Sequence, residues 1–337
     1  VDGVFLRAYE SAFERAVYFD LSAYGKIAVT GPDAATFLHN LCSNDIKNLP
    51  VGGGCEAFFC NARARTLAHV LISRWPDGPS NGLNFLLDMV PSLHEKMMRH
   101  LDKYLISEQV EIVDRTQDLA LFRLIGPKSA DVLGALLGST FAAAPAPLRI
   151  AMPWTGPGQL HIRPQTVLAM PGFDIFCARD SAVPLMEKLA AAGAIQAAPE
   201  VHEVLRIEAG TPEYGKEMDD DRFVMEVGRT AQAISYTKGC YLGQEPIVMA
   251  RDRGQVNRTL MGVMFAGSTE AIPPGSKLFA GETEVGLVTS SAWSPRLQQV
   301  LALAYVRRGN QQPGSEFVCD GRKGVLSTSP FGIRSSN

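Results

Sequence analysis

The segment Lys238-Gly239-Cys240-Tyr241-Leu242-Gly243-Gln244-Glu245-Pro246 concentrates residue types able to do chemistry. Gly239 and Gly243 bracket a Cys and a Tyr, and glycine admits positive φ and close approach of backbone to a ligand. Pro246 suits the first turn of a helix running to about Arg253. Cys240 then lies just upstream of a helix N-terminus with Lys238 two residues away, and both features favour a thiolate. The spacing fits a reactive or ligand-touching thiol. A buried Cys in a tight loop is the alternative that residue types leave open.

Leu205-Arg206-Ile207-Glu208-Ala209-Gly210 holds the next candidate. Arg206 and Glu208, two apart on a helix, face different ways and do not make a simple surface pair. A glutamate near a helix C-terminus is disfavoured by the dipole, so Glu208 invites a purpose such as accepting hydrogen bonds from the N–H groups of a heterocycle; a solvated or salt-bridged Glu is the alternative. Asp219-Asp220-Asp221 reads as a solvated loop, since consecutive carboxylates do not converge and EF-hand spacing is missing. The histidines at 39, 69, 94, 100, 161 and 202 show no zinc spacing. Gly52-Gly53-Gly54 lacks the Lys-Ser/Thr of a phosphate loop, and no G-x-S-x-G elbow occurs.

The elements that must position these residues follow from periodicity. Helices are expected at 4–17, with Phe5, Ala8, Tyr9, Ala12, Phe13 and Ala16 on one stripe, and at 34–41, 92–105, 129–137, 183–192 and 200–209. Strands are expected at 27–29, 55–60, 66–73, 83–89, 110–113, 119–125, 167–170 and 174–178. Ile27 to Ala34 and Leu121 to Ala130 repeat one unit: a strand, Gly-Pro, then a helix. That duplication suits an α+β sheet with helices on one face. Residues 138–165 read as a surface connection. From Arg258 onward, short alternating strands at 260–265, 277–279, 284–289, 301–306 and 317–319 suggest a small antiparallel barrel.

Composition bounds the reading. A chain of 337 residues suggests two to three domains, and 46% hydrophobic residues supply a sizeable core. A net charge of −3 argues against a nucleic-acid coat, although arginines gather at 251–258. No stretch reads as a membrane helix and the N-terminus has no signal-peptide pattern. Six cysteines without a C-x-x-C pair read as reduced thiols of a cytosol or organelle matrix.

Lys-Gly-Cys-Tyr-x-Gly-Gln-Glu at 238–245, comprising Lys238, Gly239, Cys240, Tyr241, Gly243, Gln244 and Glu245, resembles the hallmark of YgfZ-type folate-binding proteins of iron–sulfur cluster maturation. Their wider superfamily is that of the glycine cleavage T-protein, a tetrahydrofolate-dependent aminomethyltransferase. Tyr18-Phe-Asp-Leu-Ser, Gly31-Pro-Asp-Ala-Ala-Thr-Phe-Leu, Leu41-Cys-Ser-Asn-Asp-Ile, Leu205-Arg-Ile-Glu-Ala-Gly and Gly286-Leu-Val-Thr-Ser resemble superfamily landmarks, so the resemblance covers most of the chain.

The resemblance implies an α+β fold of three domains around a central folate-binding opening. These would be an N-terminal region over 1–140, a second α+β region with the Cys motif over 141–255, and a C-terminal β-barrel over 256–337. It implies tetrahydrofolate, or a one-carbon derivative, as cofactor, with Glu208 holding the pterin. Asn61, Lys238 and Arg251 are further binding candidates, and Arg65, Arg253 and Arg258 could meet the anionic tail. Cys240 would lie on or near the rim as the functional thiol. The T-protein's Asn-x-x-Gly stretch leading to a catalytic Asp reads here Asn61-Ala-Arg-Ala-Arg-Thr-Leu-Ala-His69, with Ala64 for the Gly and His69 read at the Asp position. A neutral His can hydrogen-bond but lacks the fixed negative charge. That departure favours an accessory factor serving iron–sulfur proteins or their assembly factors. A folate-dependent aminomethyl- or methyltransferase using His69, and a folate sensor without chemistry, are the other readings. No metal site, nucleic acid or membrane partner is expected. The location would be cytoplasmic, or the mitochondrial matrix after removal of a targeting peptide.

Overall fold

Asp2 starts the first helix, its side chain accepting from the Phe5 N–H at 2.7 Å. The computed structural model describes residues 2–75, 85–138, 160–165, 167–254, 256–327 and 331. In chain order the elements are α1 (Gly3–Glu14), β1 (Val17–Asp20), β2 (Gly25–Thr30), α2 (Ala34–Leu41), β3 (Gly54–Cys60), β4 (Thr66–Arg74), β5 (Phe85–Met89) and α3 (Leu93–Tyr104). Next come β6 (Glu111–Asp114), β7 (Leu119–Ile125), α4 (Ser129–Leu137), β8 (His161–Pro164), β9 (Gly172–Ala178), α5 (Ala182–Ala191), β10 (Ile195–Gln196) and α6 (Pro199–Glu208). The short α7 (Thr230–Ala233) and α8 (Gln244–Arg253) precede β11 (Arg258–Phe265), β12 (Lys277–Ala280), β13 (Thr283–Ser294), β14 (Gln299–Arg307), β15 (Glu316–Cys319) and β16 (Arg322–Ser327).

These form two five-stranded sheets, ordered β10-β1-β7-β9-β8 and β3-β4-β5-β2-β6, and a closed barrel, β11-β14-β13-β12-β15-β16. Alternation explains the layers. Ile27 and Val29 of β2 face the core that α2 and α3 cover, while Ala28 joins Val17, Phe19 and Leu121 of the other sheet. The opposite face of that other sheet packs Tyr18, Phe122 and Leu124 against α4 and α5. Each such buried aliphatic or aromatic side chain contributes ~2 kcal/mol of transfer free energy. The expected repeat is present once per sheet: β2 and β7 each end in Gly-Pro and lead into α2 and α4, with Gly31 at φ 116° and Gly126 at 114°.

The face between the sheets also carries charge. In register across β7, β9 and β8 lie Arg123, Asp174 and Arg163. Arg163 bonds Asp174 at 2.9 Å and reaches across to Asp88 of β5 at 2.5 Å and Ser73 of β4 at 3.1 Å. All are buried. This cluster therefore ties one sheet to the other.

Several expectations need correction. The first helix stops at Glu14 rather than Val17, because Val17-Tyr-Phe pairs with β7 as a strand. Residues 161–164, read as part of a connection, form β8; residues 139–159 of that connection lie outside those described, as do 83 and 84 of the strand expected at 83–89. Residues 167–170 are not a strand: the Gln165 side chain bonds the Leu168 N–H and the Met170 carbonyl, and Ala169 takes φ 50°. The barrel has a further strand, β16, beyond those expected, and β13 is longer. The sheet topology also crosses residue 140: β1 and β7 precede it and β8, β9 and β10 follow it in one sheet. Barrel strands begin at Arg258. Among the described residues, no helix is long and apolar enough to cross a membrane.

Candidate functional site

The Cys motif is a loop clamped at both ends. Lys238 is buried, and its ammonium donates to the carbonyls of His39, Cys42 (2.7 Å) and Asn44 (2.8 Å), around the C-terminus of α2. Carbonyls there lack helical partners, so a lysine is a natural cap. Burial lowers the Lys238 pKa. Its three donors are thus committed to backbone carbonyls inside the protein. At the other end Gly243 takes φ 85° and precedes α8, and a Cβ there would meet the Asn61 carbonyl oxygen at 2.6 Å. Gly239 differs: it lacks positive φ, and a Cβ would meet only His39 at 3.9 Å. The need for glycine therefore holds at Gly243 alone. Pro246 lies in the first turn of α8, as its position implied.

Between these clamps Cys240 is exposed, whereas the other five cysteines are buried. Tyr241 turns inward, under the Lys238 ammonium at 4.7 Å, and its buried hydroxyl has no partner among the described residues. Gln244 and Glu245 open α8. Arg251 is exposed on the same helix, bonded to Asp252 and stacked over Tyr236 at 5.1 Å.

A cleft lies between the two sheets and α6. Its lining includes Tyr24, His69 and Leu71 of β4, Asp88 of β5, Arg123 of β7, His202 and Arg206 of α6, and Tyr214 and Arg229. His69 Nε2 is 3.1 Å from Glu56 Oε2 on the neighbouring strand β3. Arg229 grips the same carboxylate, with Nε at 3.0 Å from Oε2 and a second nitrogen on Oε1. Burial pushes the Glu56 carboxyl up, but His69 and Arg229 outweigh it and bring the pKa down to about 2. Burial, reinforced by Arg123 and Arg206, holds His202 down to about 3, a neutral acceptor for Arg123 at 3.3 Å. At the cleft edge Tyr214 donates to Asp220 at 2.6 Å, and Lys96 bonds both. Asp220 is exposed and also paired.

Glu208 does not line this cleft. It ends α6 and is buried between α1 and the barrel, where Oε1 accepts from Tyr9 at 2.5 Å and Ser294 at 2.6 Å. Its Oε2 is buried without a partner among the described residues. Burial raises its pKa against the two hydrogen bonds. Arg206 faces another way, to Glu203, Glu217 and Ser290, so the two side chains do leave the helix on different faces. Asn61 spends its side-chain oxygen on the N–H groups of Arg63 (2.9 Å) and Arg65 (3.1 Å); it shapes its own turn rather than reaching the cleft. Arg65 bonds the Asp221 carbonyl and Arg258 pairs with Glu226. The structure thus brings His69 to the cleft and keeps Glu208, Asn61, Lys238, Cys240 and Arg251 out of its lining.

Sequence reasoning missed Glu56, Arg229 and the Asp88–Arg163–Asp174–Arg123–His202 cluster. A signal existed: Glu56, Asp88, Arg123 and Asp174 each stand as a lone charge in an otherwise apolar strand. Such a charge is buried only with a partner.

Comparison with known proteins places this arrangement. Residues 4–236 match the GCVT N-terminal domain, and residues 258–328 match the glycine cleavage T-protein C-terminal barrel domain. The chain belongs to the glycine cleavage T-protein family. It is 31% identical to an Arabidopsis thaliana protein named "Putative transferase At1g60990, chloroplastic", over 95% of this chain and 72% of that one. It is 28% identical to an aminomethyltransferase of Rubrobacter xylanophilus (88% and 78% covered) and 30% identical to one of Thermus thermophilus (90% and 83%). The fold is that of the glycine cleavage system aminomethyltransferase T of Bartonella henselae, with a TM-score of 0.84 at 22% identity over 98% of this chain and 90% of that one.

Proposed function

We propose that this protein is a tetrahydrofolate-binding factor of the YgfZ type that supports assembly or repair of 4Fe–4S proteins, with Cys240 as its working thiol. The observation that carries this reading is the exposure of Cys240 alone among six cysteines, on a loop held by Lys238 and Gly243. One thiol is one of the four ligands a cluster takes, so Cys240 acts together with donors from a client or an assembly factor. Reduced, mostly buried thiols suit the cytoplasm or a mitochondrial matrix.

The residues present fit folate or a one-carbon derivative at one point: Glu208 keeps a buried oxygen without a partner among the described residues, an acceptor for a ring N–H. Such a group, when bound, would bring a carrier nitrogen for one-carbon units. Calorimetric titration with tetrahydrofolate tests the binding. Binding by the parent and at least ~10-fold weaker binding by Glu208→Ala are expected; a parent that does not bind counts against the reading.

A second reading, a folate-dependent aminomethyl- or methyltransferase, is favoured by His69 standing in the cleft beside Glu56. Turnover of a one-carbon donor with tetrahydrofolate, abolished by His69→Ala, would favour it over the first.

A further inference from the structure

We propose that His69 and Glu56 form a proton-exchanging pair at the cleft, in which His69 engages an amine or N–H of a bound ligand and Glu56 is its positioning residue. Phe58 is the cross-strand partner of His69, and Glu56 lies two residues before it on the same face of β3. The Glu56 carboxylate is buried, 1% exposed, and stays ionised because Arg229 and His69 hold it. A carboxylate only accepts, so the 3.1 Å contact makes His69 Nε2 the donor. In a neutral imidazole the other nitrogen, Nδ1, is then the acceptor, and it has no hydrogen bond of its own among the described residues.

The His69 ring lines the cleft, whose other polar residues include Asp88, Arg123, His202, Arg206, Glu213 and Arg229. Arg123 and Arg206 are engaged by buried carboxylates, and Arg163 engages Asp88. His69 is therefore a lining group that combines a buried counter-charge with an acceptor free among the described residues. Proton transfer from a ligand ammonium to Nδ1 would leave a neutral amine and an imidazolium facing the Glu56 carboxylate; the reverse transfer restores both.

This deepens the transferase reading as to ligand contact, but the pair itself is tested without ligand. Nitrogen-15 NMR of the parent at about pH 8 should show His69 protonated at Nε2 and unprotonated at Nδ1. The opposite tautomer, or protons on both nitrogens, would overturn the proposal. The parent spectrum decides this even if a variant fails to fold. In Glu56→Ala the two resonances should move toward the averaged positions of an unfixed ring; an unchanged pattern would remove the positioning role. Where the parent binds tetrahydrofolate, the Nδ1 resonance should move more than Nε2, and equal or absent shifts would overturn the ligand contact. A parent that does not bind folate fails the proposed function, while the ligand-free spectrum still decides the pair.

Discussion

Gly239 and Gly243 look equivalent in the motif and differ in the fold. Gly243→Ala places a methyl 2.6 Å from the Asn61 carbonyl oxygen at φ 85°. It should cost ~2 kcal/mol or more. Gly239→Ala, with open space around it, should stay within about 0.5 kcal/mol of the parent. Urea denaturation of the two variants checks the contrast. Cys240→Ser changes an exposed side chain and should likewise leave stability within about 0.5 kcal/mol, so any loss of function is not a loss of fold. The same separation matters at Lys238, whose ammonium fastens the motif to α2. Lys238→Ala should lower stability by ~2 kcal/mol, since three carbonyls lose their donor.

At the scale of elements, α6 and the strands carry titrating groups whose effect on stability has a defined sign. His202 is held neutral in the fold, down to about 3, against about 6.5 unfolded. Its folded pKa is depressed, so the unfolded chain takes the proton first, and stability falls as pH drops from about 6.5 toward 3. Glu56 and Asp174, both brought down to about 2, add a second loss below about 4.5, when the unfolded carboxylates protonate. Urea midpoints at a series of pH values should fall in those two stages, and His202→Gln should flatten the first.

Many elements were legible because alternation or helical periodicity marks them; β2, β7 and their following helices are examples. β8 and β16 were not. His161-Ile-Arg-Pro carries charge and proline, and only its pairing with β9 makes it a strand. Arg322-Lys-Gly reads as a turn until barrel closure against β11 demands it. The site divides the same way. Cys240 and His69 follow from motif and family pattern, whereas Glu56 and Arg229 are 173 residues apart and meet only in three dimensions.

For the whole molecule, the decisive contact is the buried one between sheets. Arg163→Ala would strand Asp88 without its ion-pair partner and leave Asp174 with Arg123 alone, and should cost ~3–5 kcal/mol. Because the sheet interleaves chain from both sides of residue 140, the loss should appear as one cooperative unfolding step in calorimetry rather than release of a separate unit. The family membership fixes the fold and leaves the use of Cys240 as the central claim. The measurement that bears on it most directly is the activity of a 4Fe–4S enzyme in cells lacking this protein, supplied with either the parent or Cys240→Ser at equal abundance. The account predicts that the parent restores the enzyme and the serine variant does not. Full restoration by Cys240→Ser would contradict it.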